Sequence, residues 1–311
     1  KKNKKIAFYL TYDSKQRMDL SIIIINYNTS KYTINCIESI VNTISDSINY
    51  EIILVDNCSE ITDLQNLEEQ IKKYNRLKLI KNPINSGFGG GNTVGSSEAK
   101  GKFLAFVNND TILQNDCFSI LIDAMESNPS YGVCSPQSFK ENGDFLPTID
   151  HFTSPNKELF GRDFLEFINP KRYPKRKHIY TKPQRGQFVS GSFMVIRKED
   201  FDNIGGFDTK IFLYQEETDI CKRMLKINKY AYLIPEAKFI HFHGASTKKS
   251  IAIKTELKLS TLYVIRKHYG WWAHKLILLF FIVKYFIRSF FKPEYWEIFK
   301  VLVKGGQLNH S

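Results

Sequence analysis

FLAFVNNDTIL, residues 103–113, is the stretch on which the reading of this chain turns. Residues 103–107 are a run of strand-forming apolar side chains that stops abruptly at Asn108, Asn109 and Asp110. A short continuous apolar run fits a strand buried on both faces. Three polar groups at its tip, one of them an acid, stand where such a strand surfaces.

The pattern recurs upstream. A β-branched run at 20–25 ends at Asn26-Tyr27-Asn28, a second at 51–55 ends at Asp56-Asn57, and Leu77–Lys81 is followed by Asn85. The segments between them read as helices. Residues 31–44 have Ser30 as an N-cap. Residues 61–74 carry Ile61, Leu64, Leu67 and Ile71 at helical spacing. A glycine-rich turn enters a helix at 87–99, and 115–127 is another. This alternation predicts an α/β fold, with a mostly parallel central sheet and helices on both faces. Ligands of such sheets bind beyond the carboxyl ends of the strands, where all four polar tips lie. One polar tip alone is an ordinary turn; four of the same character are more informative.

The 311 residues suit one large domain, or one domain with an appendage, and a hydrophobic content of 42% is enough for a sizeable core. The 44 Lys+Arg against 32 Asp+Glu give a net charge of +12. Such an excess suits nucleic acid, an anionic membrane surface or a phosphorylated substrate. A nucleic-acid surface would interleave cations with stacking aromatics. Here the cations fall at the N-terminus, in KRYPKRKH (171–178) and around the tail, so no nucleic-acid partner is expected. Five cysteines without a CxxC spacing argue against a disulfide framework or a zinc site. Reduced thiols and no legible secretory segment predict a cytoplasmic protein.

Residues 1–17 form a preface of unassigned role. Residues 18–250 form the main domain, with a first half over 18–135 and a second over 136–250. Residues 140–186 hold five prolines and read as a long surface loop or lid. Residues 251–311 read as a helical C-terminal region. Its apolar run at 276–283 is too short to span a bilayer, which takes about 20 residues. With Trp271, Trp272, Lys284 and Arg288 it suits a helix lying in a membrane interface, and equally a core helix of a subdomain.

Four segments carry groups able to do chemistry. Asp110 at a strand tip can ligate a hard divalent cation or simply cap the next turn. INSGFGGGNTVG (84–95) brings glycines to a helix N-terminus, which suits phosphate, or supplies a loop that needs positive φ. It is neither a P-loop nor a dinucleotide fingerprint in its usual place. LYQEETDIC (213–221) crowds Glu216, Glu217 and Asp219 at a helix start. They complement the helix dipole there, or they raise one another's pKa as a general base requires. His241 and His243 in HFHGAST share one strand face and can bind a metal.

Taken together, NYN, VDN, GFGGGNTVG, NND, VSGSFMVIRKEDFDNIGGFD, LYQEETD and HFHGAST resemble inverting glycosyltransferases of family 2 with the GT-A fold, and among them the bacterial rhamnosyltransferase-like branch. The resemblance covers roughly residues 19–250. It implies that 18–135 is the nucleotide-sugar half and 136–250 the acceptor half. It implies that Asn26, Tyr27 and Asn28 with Asp56 meet the nucleobase, and that Asn57, Gly87, Gly89 and Asn92 flank the nucleotide and sugar. Asn108-Asn109-Asp110 takes the place of a DxD-type motif, with Asn108 where many members carry Asp. Asp110 and His241 would hold Mg2+ or Mn2+. Glu217 would be the catalytic base, with Glu216 the second candidate. Gly191, Ser192 and Asp219 would serve the acceptor side.

The implied activity is transfer of a sugar, L-rhamnose from dTDP-L-rhamnose foremost, to a glycan or lipid-linked acceptor in surface polysaccharide synthesis. It would take place at the inner face of the cytoplasmic membrane, on an anionic surface. A UDP-hexose or UDP-galactofuranose transferase, and a non-catalytic nucleotide-sugar-binding module, are the competing readings. The module would have lost its acids. A dehydrogenase on a doubly wound sheet is disfavoured by the missing early GxGxxG.

Overall fold

The structure, a computed structural model, describes residues 18–242 and 250–308. The preface at 1–17 and His243 lie outside them. The first half runs β1 (Leu20–Asn26), α1 (Ser30–Thr43), β2 (Tyr50–Asp56), α2 (Ile61–Ile71), β3 (Leu77–Lys81), α3 (Gly87–Ser97), β4 (Phe103–Asn108), β5 (Thr111–Leu113) and α4 (Cys117–Ser127). The second half continues with β6 (Tyr131–Phe139), β7 (Phe145–Leu146), β8 (Ile149–Asp150), α5 (Pro155–Phe160) and α6 (Arg162–Ile168). It closes with β9 (Gln184–Gly186), β10 (Phe188–Val189), β11 (Phe193–Arg197), α7 (Lys198–Asn203), α8 (Glu216–Lys226) and β12 (Tyr230–His241). The chain ends in α9 (Ile251–Phe291) and α10 (Tyr295–Val303).

The main sheet has the order β3-β2-β1-β4-β11-β6-β12-β5. Its first four strands are parallel. Strand β11 enters antiparallel between β4 and β6, and β6 and β12 are again parallel. The apolar runs are explained by burial on both faces. Ile22, Ile24, Phe103, Ala105 and Val107 face one core with Ile37, Ile40 and Leu67. Ile23, Leu104 and Phe106 face the other with Val55 and Met194. Each large side chain so buried contributes roughly 1.5–3 kcal/mol of transfer free energy.

Helix boundaries differ from the sequence expectation where tertiary partners decide them. Ser30 does not cap α1 but is its first residue, and its amide donates to Asp63 Oδ1 at 2.9 Å from the neighbouring helix. Asp110 is followed directly by β5, and Asp116 caps α4 by accepting from the Ser119 amide. The stretch at 140–186 is not one long loop. It contains the short strands β7, β8 and β9 and the helices α5 and α6.

Helix α9 breaks at Gly270, whose φ of 88° lies in the left-handed region that glycine adopts freely. Its two arms fold back on each other. Lys258 lies over the Phe281 ring, and His274 meets the Leu262 carbonyl. With α10 they enclose a separate core of Leu262, Ile265, Ile277, Leu278, Phe281, Tyr285, Ile298 and Leu302. The core-helix reading therefore holds for one face of the tail. The other face exposes Trp272, Leu279, Ile287 and Phe290. Among the described residues no helix is long and apolar enough to cross a membrane.

Candidate active site

The tips of β1, β2 and β4 converge on a cavity of about 370 Å³. Tyr27, Asn57, Gly87, Asn92, Asn108 and Asn109 line it, and Ile253 of α9 reaches in from the tail. Ile25, Phe88, Val107, Phe212 and Leu213 also line it, so the wall sets neutral asparagine amides among apolar side chains.

Behind that wall lies a network of amides. Asn26 is fully buried; its Nδ2 lies 2.9 Å from Asp56 Oδ1, 3.0 Å from Ser59 Oγ and 2.9 Å from Asp63 Oδ2, and its Oδ1 accepts from Thr33. Asp56 also accepts from the Ser59 amide. Asn109 donates to Thr29 and Thr33, joining β4 to α1. Asn57 donates to Asn85 and to the Gly87 carbonyl, and accepts from Asn82 and Ser86. Asn28, at φ 54°, accepts from the Glu60 amide. Asn26 and Asp56 thus hold the strand tips together from within, whereas Tyr27, 44% exposed, and Asn28 present their surfaces.

Glycine is required at 87 for two reasons: its φ is 71°, and a Cβ there would sit 2.0 Å from the Phe212 carbonyl oxygen. The Phe88 amide donates to that same carbonyl, and the Gly87 amide donates to Asn85. Two of the amides at the start of α3 are therefore already satisfied. Gly91 and Gly95 serve packing instead, since Cβ atoms there would fall 2.9 Å from Ile25 and 2.5 Å from Ile23. Gly89 faces the Glu216 side chain.

Asp110 is 2% exposed, and its Oδ1 lies 3.1 Å from His241 Nε2. Thr111 pairs with His241 in the β5–β12 ladder, which brings the two residues together across the sheet. Two cis ligands of an octahedral cation at 2.0–2.1 Å stand about 3 Å apart, so this pair fits one edge of such a site. Among the described residues no group of three or more His, Cys, Asp or Glu surrounds it. The remaining ligands of a cation here would come from phosphate oxygens and water.

The acidic block opens α8 after two consecutive left-handed residues, Tyr214 at φ 69° and Gln215 at φ 79°. Such conformations cost on the order of 1–3 kcal/mol each and persist only where surroundings enforce them. Thr153 donates to Gln215 Oε1, and Gln215 donates to Thr261 of α9. Beyond them the three acids diverge. Glu216 is 3% exposed, and its Oε1 accepts no hydrogen bond among the described residues. Burial first, and the charge of Glu217 second, push its carboxyl well above the ordinary range. Glu217 is the more accessible; its Oε2 lies 3.9 Å from where a Gly191 Cβ would be. Burial pushes its carboxyl up as well, against the opposing charge of Lys157. Ser192 hydrogen-bonds Ser190 and accepts the Asn108 amide, tying this side to β4.

Asp219 is enclosed. It accepts from His268 at 2.7 Å and pairs with Lys267 and Arg223, each at 2.7 Å. Burial opposes its ionisation, yet the His268 hydrogen bond and the two cations hold the carboxyl well below the usual range. The expected acceptor role is replaced by a structural one, because no face of this carboxylate is left open. Sequence reading missed Lys157, Lys267 and His268, which meet these acids from 60 positions before to 49 after along the chain and carry no local motif. The Ser260 hydroxyl donates to the Leu213 carbonyl, so the first arm of α9 runs beside the acidic block.

A family model described as "Glycosyl transferase family 2" matches residues 21–205. The chain is 27% identical over 255 residues to rhamnosyltransferase WbbL of Escherichia coli (strain K12), covering 79% of this chain and 92% of that protein. It is 30% identical over 91 residues to an N-acetylglucosaminyl-diphospho-decaprenol L-rhamnosyltransferase of Mycobacterium tuberculosis, covering 29% of this chain and 30% of that protein. Among solved structures, GalNAc-T7 with UDP, GalNAc and Mn2+ superposes with a TM-score of 0.65 at 15% identity. That match covers 94% of this chain and 55% of that one, and it shows the GT-A-like fold.

Proposed function

Since this chain belongs to glycosyltransferase family 2, we propose that Glu217 is the base of an inverting transfer from a nucleotide diphosphate sugar to an acceptor hydroxyl. The single observation that carries this is the position of Glu217. It is a partly buried carboxylate beside Gly191, which in turn lies against Phe88 of the cavity wall, and burial raises its proton affinity, as a general base requires.

In this reading Tyr27, Asn57 and Asn92 hold the donor, and Asn108 and Asn109 floor its sugar. Glu217 removes the proton as the acceptor oxygen bonds to the anomeric carbon. The bond to the nucleotide diphosphate breaks on the opposite face, so configuration inverts. Burial and the neighbouring Glu217 charge disfavour ionisation of Glu216, which leaves Glu217 the more accessible of the two carboxyls. Asp110 and His241 would hold Mg2+ or Mn2+, which when bound neutralises charge on the departing diphosphate. Residues 18–135 bind the donor, 136–250 the acceptor, and 251–311 close the site from one side.

The donor is dTDP-L-rhamnose, by likeness to two relatives named for that sugar. The acceptor is a glycan or lipid-linked glycan of a bacterial surface polysaccharide, met at the inner face of the cytoplasmic membrane. The test is release of nucleotide diphosphate from a panel of dTDP- and UDP-sugars with Mg2+ or Mn2+, in the presence of a lipid-linked acceptor extract. Release from dTDP-L-rhamnose alone, lost in Glu217→Gln and on chelation, is the expected result. Release from a UDP-sugar instead would replace the donor. Nucleotide binding without any release would leave a binding module.

A further inference from the structure

Lys258, Lys284, Arg288 and Arg162 form a cationic cluster that the transfer chemistry does not use. The fold-back of α9 at Gly270 sets Lys258 opposite Phe281, its ammonium 4.9 Å from the ring centroid. Lys284 and Arg288 follow on the opposite arm, four residues apart and on one helix face. Helix α5 packs against this hairpin, with Leu159 joining its core, and carries the chain directly into Arg162. Lys258 is half-buried; Lys284, Arg288 and Arg162 repel it and Glu158 attracts it. Arg162 pairs with Asp150. Lys258, Lys284 and Arg288 make no ion pair among the described residues.

Gathering like charges in a partly desolvated place opposes folding unless an anion offsets it. The surroundings describe that anion. Phe160 (59% exposed), Phe164 and Phe167 flank Arg162, and Phe286, Ile287 and Phe290 flank Lys284 and Arg288. A free nucleotide has no use for such apolar flanks. A common phospholipid headgroup with one net charge does not match several cations. An anion of two or more charges on a hydrocarbon chain matches both. Helix α5 also gives the distance sense: Lys157 acts on Glu217, and the next residue, Glu158, acts on Lys258.

We propose that Lys258, Lys284, Arg288 and Arg162 bind the diphosphate of a lipid-linked acceptor, with its hydrocarbon along the phenylalanines of α5–α6 and the outer face of α9. The sugar end of this assignment rests on the transfer reading above; the anion end rests on the cluster alone.

The experiment is titration of the full chain with farnesyl diphosphate, farnesol, inorganic pyrophosphate and phosphatidylglycerol vesicles, followed by tryptophan fluorescence. Farnesyl diphosphate is expected to bind at least ten-fold more tightly than farnesol or pyrophosphate. Lys258→Gln/Arg288→Gln should weaken it about ten-fold while nucleotide binding stays unchanged. If that variant melts early, Lys284→Gln with Arg162→Gln, which leaves Lys258 against Phe281 in place, provides the same comparison. Equal affinity in parent and folded variant overturns the proposal, as does pyrophosphate binding that nucleotide displaces. Capture by the vesicles with no farnesyl diphosphate preference overturns it in favour of a general lipid surface. Glu217→Gln should leave farnesyl diphosphate binding intact, so failure of the transfer reading and failure of this one are read separately.

Discussion

The two sides of the cleft are built from different materials. The side made by β1, β2 and β4 is held by asparagine amides that bond to hydroxyls, to one another and to the Asp56 and Asp63 carboxylates, with Asn26, Asn57 and Asn109 each bonded to two or more neighbours. The side made by α8 is held by charge, with Lys157 acting on Glu217, Lys267, Arg223 and His268 gathered on Asp219, and Glu216 buried beside the other acids. An asparagine amide does not itself titrate, so its bonds change little near neutral pH. A charged network sets proton affinities, which a base needs, and is correspondingly sensitive to the loss of any one partner. In the proposed reading, binding and proton transfer are thereby separated by the kind of interaction as well as by position.

The largest expected effect tests that separation directly. Glu217→Gln keeps the shape of the charged side and removes its function as a base. Turnover should fall by about 10²–10⁴-fold while nucleotide affinity, measured by calorimetry, stays within two-fold. If affinity falls in step with turnover, the two sides are not separate.

Next is the unequal answer to loss of one buried partner. Asp219→Asn leaves Lys267, Arg223 and His268 facing a neutral amide, and chemical denaturation should show a loss of about 3 kcal/mol. The parent's advantage should shrink as pH falls. Asp219 has a depressed native pKa, so its contribution is present above the unfolded value and disappears as pH drops towards the native one. Asn26→Ala should cost about 2 kcal/mol by leaving buried partners unsatisfied, with little dependence on pH between 6 and 8. Equal pH dependence in the two variants would break the comparison.

A smaller effect is expected from Gly87→Ala. The new methyl meets the Phe212 carbonyl, so the segment before α8 must shift away from α3. Donor affinity should fall several-fold, with about 1–2 kcal/mol lost in stability; unchanged affinity would show that α3 and the acidic block are not coupled through this contact.

The smallest concerns Lys157. Its charge favours the ionised form of Glu217. Lys157→Met should move the acid limb of the kcat/KM profile to higher pH, lowering activity on the acid side and leaving the alkaline plateau near that of the parent. A shift to lower pH would reverse the assignment of the base's neighbour.

Much of this was legible in the chain. The apolar runs ending in polar tips predict the parallel half of the sheet because a strand buried on both faces leaves no alternation to misread. Leu77–Lys81 is a strand as expected, and α8 opens at Glu216 as the crowded acids suggest. The ordering of 140–186 was not legible. Its helices are six and seven residues long and draw their stability from packing on the C-terminal hairpin. Nor was the difference among three neighbouring acids, because helical rotation sends Glu216 inward, Glu217 to the cleft and Asp219 to the tail.

The sequence by itself determined which strands would be buried, where they would surface and which residue types would meet there, since those follow from local periodicity and polarity. Only the tertiary structure decided which of those groups are free. Asn26, Asp56, Asn57 and Asp219 are drawn into internal bonds, while Tyr27 is exposed and Glu217 keeps part of its surface. The physical reason is that a polar side chain's availability depends on partners brought from other elements. Asp63 lies 37 residues from Asn26 and His268 lies 49 from Asp219, and no local pattern encodes those pairings.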